Sequence, residues 1–531
     1  MGGNRSEAKL RSETQARRGF RSRVRAVLFL CMFLTGCGAI AVDPSAGATA
    51  DPGAARTGTR HGVRCWPVIR LFTSCTEPLA DAASVSGLGT VCPESRHDPL
   101  CEALRRTAAA DQAVAIKAVE EARSLAAAYV AARGQSSGAA DASWDSAVRF
   151  FIRERTLALS VWNVVTARGH DAPNLPQYPA GADATLSTHF PAYDPTSFPM
   201  AHLPVPPLPS AGCDPRGEVL LLFPGVVRVG ARNEFAPHID ALHEALPCLK
   251  VVRVETNSFI HPSINAEVAR DTIAREAVPS ARLHFLGYSQ GGLNALWTLA
   301  TYPDIAQRTW SFVGIDVPAH GSEVADLLYA ALREADQVHK LCDFGPSICL
   351  DRVLPSPIQL GRHIAENFGL GGEELDEWLG TEGGADSNFL DFVQHRLAGL
   401  HSLTTDAADA FWRQHGRDLP HQTLYESVRS VISKPGLNLP DSNAVFYRFL
   451  EGVDPRHPYN DMQVRLESQH LGGPLEDDEI LNPVREGNHW QWVLTAQEVP
   501  EVVMPKAMTD RIPRREYFIA YYQALHEIGL L

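Results

Sequence analysis

The run Leu283-His284-Phe285-Leu286-Gly287-Tyr288-Ser289-Gln290-Gly291-Gly292 leaves this chain few folds to choose from. An apolar stretch of strand length ends in G-x-S-x-G and passes directly into Leu293 to Ala300, which reads as a buried helix. A serine between strand and helix is the setting of a nucleophile elbow, a turn so sharp that the positions flanking the serine must lack bulk. Gly287 and Gly291 meet that demand. The turn lifts the Ser289 hydroxyl above the sheet, beside a helix N-terminus whose amides are uncommitted.

The rest of the chain supplies a sheet for this turn. Glu218 to Phe223 is an apolar run ending in Pro224-Gly225-Val226. A helical stretch from Pro237 to Leu246, a strand from Leu249 to Glu255 and a helix from Ile264 to Ala277 precede the Ser289 strand. Strands alternating with helices imply an α/β fold with a mostly parallel sheet covered by helices, and its sites lie at the strand C-termini. A catalytic domain over 217–531 follows from this pattern.

The segments before it differ in kind. Arg17, Arg18, Arg21, Arg23 and Arg25 precede an apolar run from Ala26 to Leu34, too short to span a bilayer. That run ends in Leu34-Thr35-Gly36-Cys37, similar to a bacterial lipobox, so 1–36 is expected to be a signal peptide and Cys37 the lipidated residue. General secretion fits better than the twin-arginine route, because Arg17-Arg18-Gly19-Phe20 matches the latter only loosely. The expected location is the cell envelope, lipid-anchored on its periplasmic or extracellular face. Residues 37–60 read as a tether, 61–170 as a helical N-terminal region and 171–216 as a proline-rich linker. Within the helical region, Trp144, Val148, Phe151, Ile152 and Leu159 share one helix face, and a small helical domain or arm is expected.

Charge and cysteines agree with export. The formal charge is −14, and the first 36 residues hold eight basic and two acidic side chains, so their removal leaves −20. That balance argues against nucleic acid as a partner. Eight cysteines remain beyond Cys37, an even number that suggests disulfides, with about 105 possible pairings.

Four segments now carry a resemblance. They are Gly287-Tyr288-Ser289-Gln290-Gly291-Gly292, Pro318-Ala319-His320-Gly321-Ser322 continuing to Ala325-Asp326, Ser402-Leu403-Thr404-Thr405, and Asn460-Asp461-Met462-Gln463-Val464 followed by Asn488-His489. In this order the sequence resembles the α/β-hydrolase fold, and within it the secreted bacterial triacylglycerol lipases. The resemblance implies a serine hydrolase acting on ester or lipid substrates. The chain departs from the pattern at Pro224, where the family has His, at Ala319 for another His, and at Met462 for Gly.

Ester cleavage needs a nucleophile, a base and a buried acid that orients the base. In this fold they follow in the order Ser, acid, His. Ser289, Asp461 and His489 satisfy it, with Asp454 and Asp316 as competing acids expected to cap turns or sit solvated at the surface. The oxyanion donors are expected to be the backbone amides of Gln290 and Val226, with Gly225 allowing close approach. A short-chain esterase, a polyester depolymerase, or a silent envelope lipoprotein using the scaffold for binding are the alternatives.

Residues 323–443 read as a cap inserted between two core strands, the second from Ala444 to Leu450, before a last strand from Glu479 to Val484. Leu375 to Leu379 and Phe389 to Leu400 read as its amphipathic helices, serving either a mobile lid or a fixed cover. No cofactor and no metal are expected. Lipases of this type often hold calcium near the histidine loop through an Asp two residues beyond the His; here that position is Gln491, a neutral amide. Trp490 and Trp492 are expected to hold the loop by packing instead.

Overall fold

A computed structural model describes residues 88–109, 111–135, 144–168, 217–225, 235–257, 260–330, 398–432, 443–482, 484–493 and 514–531. All of them fall in one compact unit, Thr76–Leu332 with Arg362–Leu531. The segment 1–60, with Cys37, the linker 171–216 and the cap segment Leu375 to Leu379 lie outside the described residues, as does Phe389 to Gln394.

Four helices come first: α1 (Leu88–Val91), α2 (Pro99–Arg106), α3 (Gln112–Gln135) and α4 (Ser146–Arg168). Then follow β1 (Glu218–Phe223), α5 (Ala236–Ala245), β2 (Leu249–Arg253), α6 (Pro262–Glu276), β3 (Arg282–Tyr288), α7 (Gln290–Thr301), α8 (Pro303–Arg308) and β4 (Thr309–Ile315). The chain continues through α9 (Thr405–His415), β5 (Leu424–Val428), β6 (Ser430–Val431), α10 (Asn443–Val453), β7 (Glu479–Leu481), β8 (Arg485–Glu486) and α11 (Arg514–Glu527). The main sheet is wholly parallel, in the order β2-β1-β3-β4-β5-β7, and β6 pairs with β8 in a second small sheet.

Alternation along the central strands builds the layers. Leu220 and Leu222 of β1, Leu286 and Tyr288 of β3, and Val313 and Ile315 of β4 enter one core. Val219, Leu221 and Phe223, Leu283 and Phe285, and Phe312 enter the other. A period of two on a sheet buried on both faces gives nearly continuous apolar strands, as β1 shows. Helices α6, α7, α8 and α9 supply the second core. The first core is shared by α5, α11 and the N-terminal helices α2, α3 and α4.

That sharing corrects the expectation of a separate N-terminal domain or arm. Trp144, Val148, Phe151 and Ile152 do lie on a buried face, but the face belongs to the core of the sheet. Trp144 Nε1 donates to the Gln422 carbonyl at 3.0 Å. Arg155 and Glu527, both buried, form a bidentate pair at 2.8 and 2.6 Å that joins α4 to α11. Removing one partner of such a pair strands a charge in the core, at a cost of about 3–5 kcal/mol. Cys92 is disulfide-bonded to Cys101 of α2, and Cys248 is also in a disulfide.

Two elements differ from expectation. The stretch from Ala444 to Leu450 is not a strand but part of α10, because Phe446, Tyr447 and Leu450 are buried at helical spacing while Arg448 is exposed. The core strand is β5, Leu-Tyr-Glu-Ser-Val, which lies inside the span assigned to the cap. Its central Glu426 hides it as an apolar run. That carboxylate is buried, accepts from Tyr517 Oη at 2.6 Å and from Asn482 Nδ2, and is pushed from 4.5 up to about 7 by burial.

A raised carboxyl binds its proton more tightly folded than unfolded. Its contribution is therefore full below pH 4.5 and is lost as pH rises to about 7. The difference amounts to roughly 3 kcal/mol. Urea melts of the wild type should show stability falling across that window, and Glu426→Gln, which keeps an acceptor for Tyr517, should flatten the fall.

Candidate active site

The elbow is held by close backbone contact. A Cβ on Gly291 would stand 2.0 Å from the Phe223 carbonyl oxygen, and one on Gly287 would stand 2.6 Å from Gly292 Cα. Ser289 itself has φ 52° and ψ −127°, a strained backbone for a residue with a side chain. Its amide donates to the Ile315 carbonyl at 2.9 Å, so the turn is tied to the end of β4. Gly225 lies beside it: a Cβ there would meet the Tyr288 ring at 2.8 Å and Ser289 Cβ at 3.2 Å.

The acid arrives on a turn. Asp461 Oδ1 accepts from the amides of Gln463 (2.9 Å) and Val464 (2.7 Å), while Asn460 Oδ1 accepts from the Met462 amide at 2.9 Å. Met462 takes φ 85°, which accounts for glycine at this place in the related pattern. Asp461 Oδ2 is left for His489, whose Nδ1–H donates to it at 2.7 Å. Ser289 Oγ in turn donates to His489 Nε2 at 2.8 Å. The acceptor-only carboxylate fixes the imidazole tautomer, and all three side chains are buried.

The histidine loop is held by more than packing. Trp490 and Trp492 are buried. Gln491 turns its amide oxygen back onto the Asn488 N–H at 2.8 Å, and Asn488 Oδ1 accepts from the Trp490 N–H at 3.1 Å. Trp492 Nε1 donates to Ser430 Oγ at 2.8 Å. Gln491 thus holds the loop through its side-chain oxygen.

Of the expected oxyanion donors, Gln290 opens α7, where the first amides of a helix have no intrahelical partner. Its side-chain amide is buried without a partner. Val226 lies outside the described residues.

The two competing acids part company. Asp454 caps a turn as expected, accepting from the Arg456 amide at 3.1 Å and pairing with His457 Nδ1 at 2.9 Å. Asp316 is not a solvated surface charge. It is fully buried, and burial, followed by the charge of Asp461 beside it, pushes its carboxyl well above the usual carboxylate range. Asp316, Asp461 and His489 each offer an atom within 4.8 Å of the others, the one such cluster among the described residues. Within this trio His489 and Asp461 are hydrogen-bonded to each other, and Asp316 packs beside them. Burial is a tertiary property, so nothing in the local sequence marks Asp316.

The stems of the cap are pinned next to the site. Ser322 Oγ donates to the Gln463 carbonyl at 2.6 Å, and Asp326 accepts from the Thr405 amide at 3.0 Å and Thr405 Oγ1 at 2.8 Å. Thr404 caps α9 through the Ala407 amide. The segments around Ser322 and Thr404 that carried the resemblance therefore meet in space, and Gly321 (φ 83°) is the turn that lets them.

A parallel sheet covered on both faces, with a serine on the sharp turn between β3 and α7 and a histidine and an aspartate from later loops, is an α/β-hydrolase fold. No protein-family model matches the chain. Its sequence is similar to a triacylglycerol lipase of Pseudomonas fragi, 26% identical over 272 residues, covering 48% of this chain and 77% of that protein. Similar solved structures include a metagenomic carboxyl esterase (16% identical, 71% of this chain and 91% of that one, TM-score 0.44). Lipase 1 of Pelosinus fermentans is another (14% identical, 59% and 98%, TM-score 0.36).

The geometry ranks the acids. Asp461→Asn puts an amide against His489 Nδ1 and should lower kcat by at least about 10³-fold, by favouring the wrong imidazole tautomer. Asp454→Asn should change it less than about threefold, because the Asp454 carboxylate serves Arg456, His457 and Arg465 in exposed or half-buried ion pairs. Steady-state kinetics on both variants tests the order.

Proposed function

We propose that the protein is an exported serine hydrolase that cleaves carboxylic esters of apolar acyl chains through an acyl-enzyme on Ser289. The coarser statement, a carboxylic ester hydrolase resembling lipases, rests on the fold and on the likeness to the Pseudomonas fragi lipase. The observation that carries the finer one is the continuous chain Ser289 Oγ to His489 Nε2 and His489 Nδ1 to Asp461 Oδ2, at 2.8 and 2.7 Å.

In this reading Ser289 Oγ attacks the ester carbonyl as its proton passes to His489 Nε2. The imidazolium that forms is stabilised by Asp461. The backbone amides of Gln290 and Val226 receive the charge on the carbonyl oxygen. When the tetrahedral species collapses, the C–O bond to the alcohol breaks and the leaving oxygen takes the proton back from Nε2. Water then repeats the sequence on the acyl-enzyme, releasing the acid and restoring Ser289.

Ser289→Ala and His489→Ala should each lower kcat by about 10³-fold or more while leaving the melting temperature near that of the parent, because triad members act as a unit. A fluorophosphonate should label Ser289; a folded protein that stays unlabelled is a silent binding scaffold instead. A series of p-nitrophenyl esters from acetate to palmitate separates a short-chain esterase from a lipase by where kcat/KM peaks. Export and anchoring are part of the same proposal. Cys37→Ser should move the protein from the membrane to the soluble fraction, because the anchor depends on acyl chains carried there; a variant that fractionates like the parent removes the anchor from the proposal.

A further inference from the structure

Asp316 is a buried carboxyl for which the mechanism above has no use. It follows β4 directly, and its amide donates to the Val428 carbonyl at 2.9 Å, which fixes it at the C-terminal ends of β4 and β5. Its backbone is left-handed at φ 47°, a conformation glycine would adopt more easily. One carboxylate oxygen, Oδ2, accepts from Ser430 Oγ at 3.1 Å, and Ser430 Oγ is itself held by the Trp492 indole. The other, Oδ1, is buried with no partner. A buried polar atom without a partner costs about 1–3 kcal/mol. The Asp316 carboxyl places an oxygen in the cluster with Asp461 and His489.

We propose that Asp316 is a positioning residue of the triad, a reserve acid that takes over the orientation of His489 when the Asp461 carboxylate is removed. This rests on the reading of Ser289, His489 and Asp461 as a catalytic triad. Burial, and after it the charge of Asp461, favours the protonated form of Asp316, so with Asp461 in place Asp316 remains in reserve. Taking Asp461 away removes the repulsion and leaves the His489 Nδ1–H without an acceptor. Asp316, in the same cluster, then offers a carboxyl oxygen as the acceptor for that N–H. Such a site retains activity where a triad with a single acid would lose it.

The distinction between Asn and Ala at position 461 follows. Asn fills the space and keeps Asp316 away from the ring, whereas Ala opens it. The experiment compares wild type, Asp461→Ala, Asp316→Ala and the double variant in the full-length protein. It reads kcat on one p-nitrophenyl ester, the rate of fluorophosphonate labelling, and the low-field proton NMR signal of the His489 Nδ1–H. Asp461→Ala should lose about 10- to 100-fold in kcat, well short of the Asn variant, and adding Asp316→Ala should cost a further tenfold or more. The low-field signal should persist in Asp461→Ala and vanish in the double variant, a change that loss of packing alone would not produce. A double variant that matches Asp461→Ala in rate, or an Asp461→Ala protein without the signal, overturns the proposal. If Ala at 461 prevents folding, Asp461→Ser keeps an acceptor for the Gln463 and Val464 amides and serves in its place. A wild type that is neither labelled nor active would instead overturn the catalytic reading itself.

Discussion

The approach of α7 to β1 sets everything else in this molecule. With Gly291 almost touching the Phe223 carbonyl and Gly287 against Gly292, the helix starts where any side chain would collide. Ser289 is driven into a strained backbone as a result, and its hydroxyl has one direction to point. The strain is of order 1–3 kcal/mol and is carried by a sheet whose two faces are both buried. The hydrogen bond from the Ser289 amide to Ile315 carries the constraint to β4, and the one from Asp316 to Val428 carries it on to β5. The strand ends therefore form one rigid platform, and the loops bearing Asp461 and His489 are fastened to it through Ser430, Gln469 and Trp492.

Where the sequence can be read and where it cannot follows from range. The elbow is legible because its requirement is local: two small residues and a serine at fixed spacing after an apolar strand. Asp461 and His489 stand out by their neighbours, Asn460 and Val464 for one and Asn488 for the other. The structure shows what those neighbours do, in the turn that aims Asp461 and the loop that holds His489. Glu426 defeats the same approach. A charged residue in the middle of β5 looks like the end of a strand until Tyr517 and Asn482, roughly 90 and 56 residues away, are seen to surround it. Asp316 is misread for a related reason, since nothing adjacent in sequence reveals that it is buried.

The helices before β1 illustrate the opposite error. Their buried face is legible from spacing, but a face does not say what covers it. The pattern that suggested a domain of its own is a layer laid over the sheet, and its hydrogen bonds run to Gln422 and Asp478, nearly 300 residues or more further along the chain.

One pair of residues reaches further than its energy. Arg155 is paired with Glu527, 372 residues further along the chain. A ribosome that has delivered the first half of this polypeptide has delivered α4 without the carboxylate that Arg155 meets in the interior. That helix, and the layer it belongs to, gains this contact only once α11 has been made. The order in which the chain is made thus keeps its first core open until α11 follows, and a chain without that helix would have no way to close it.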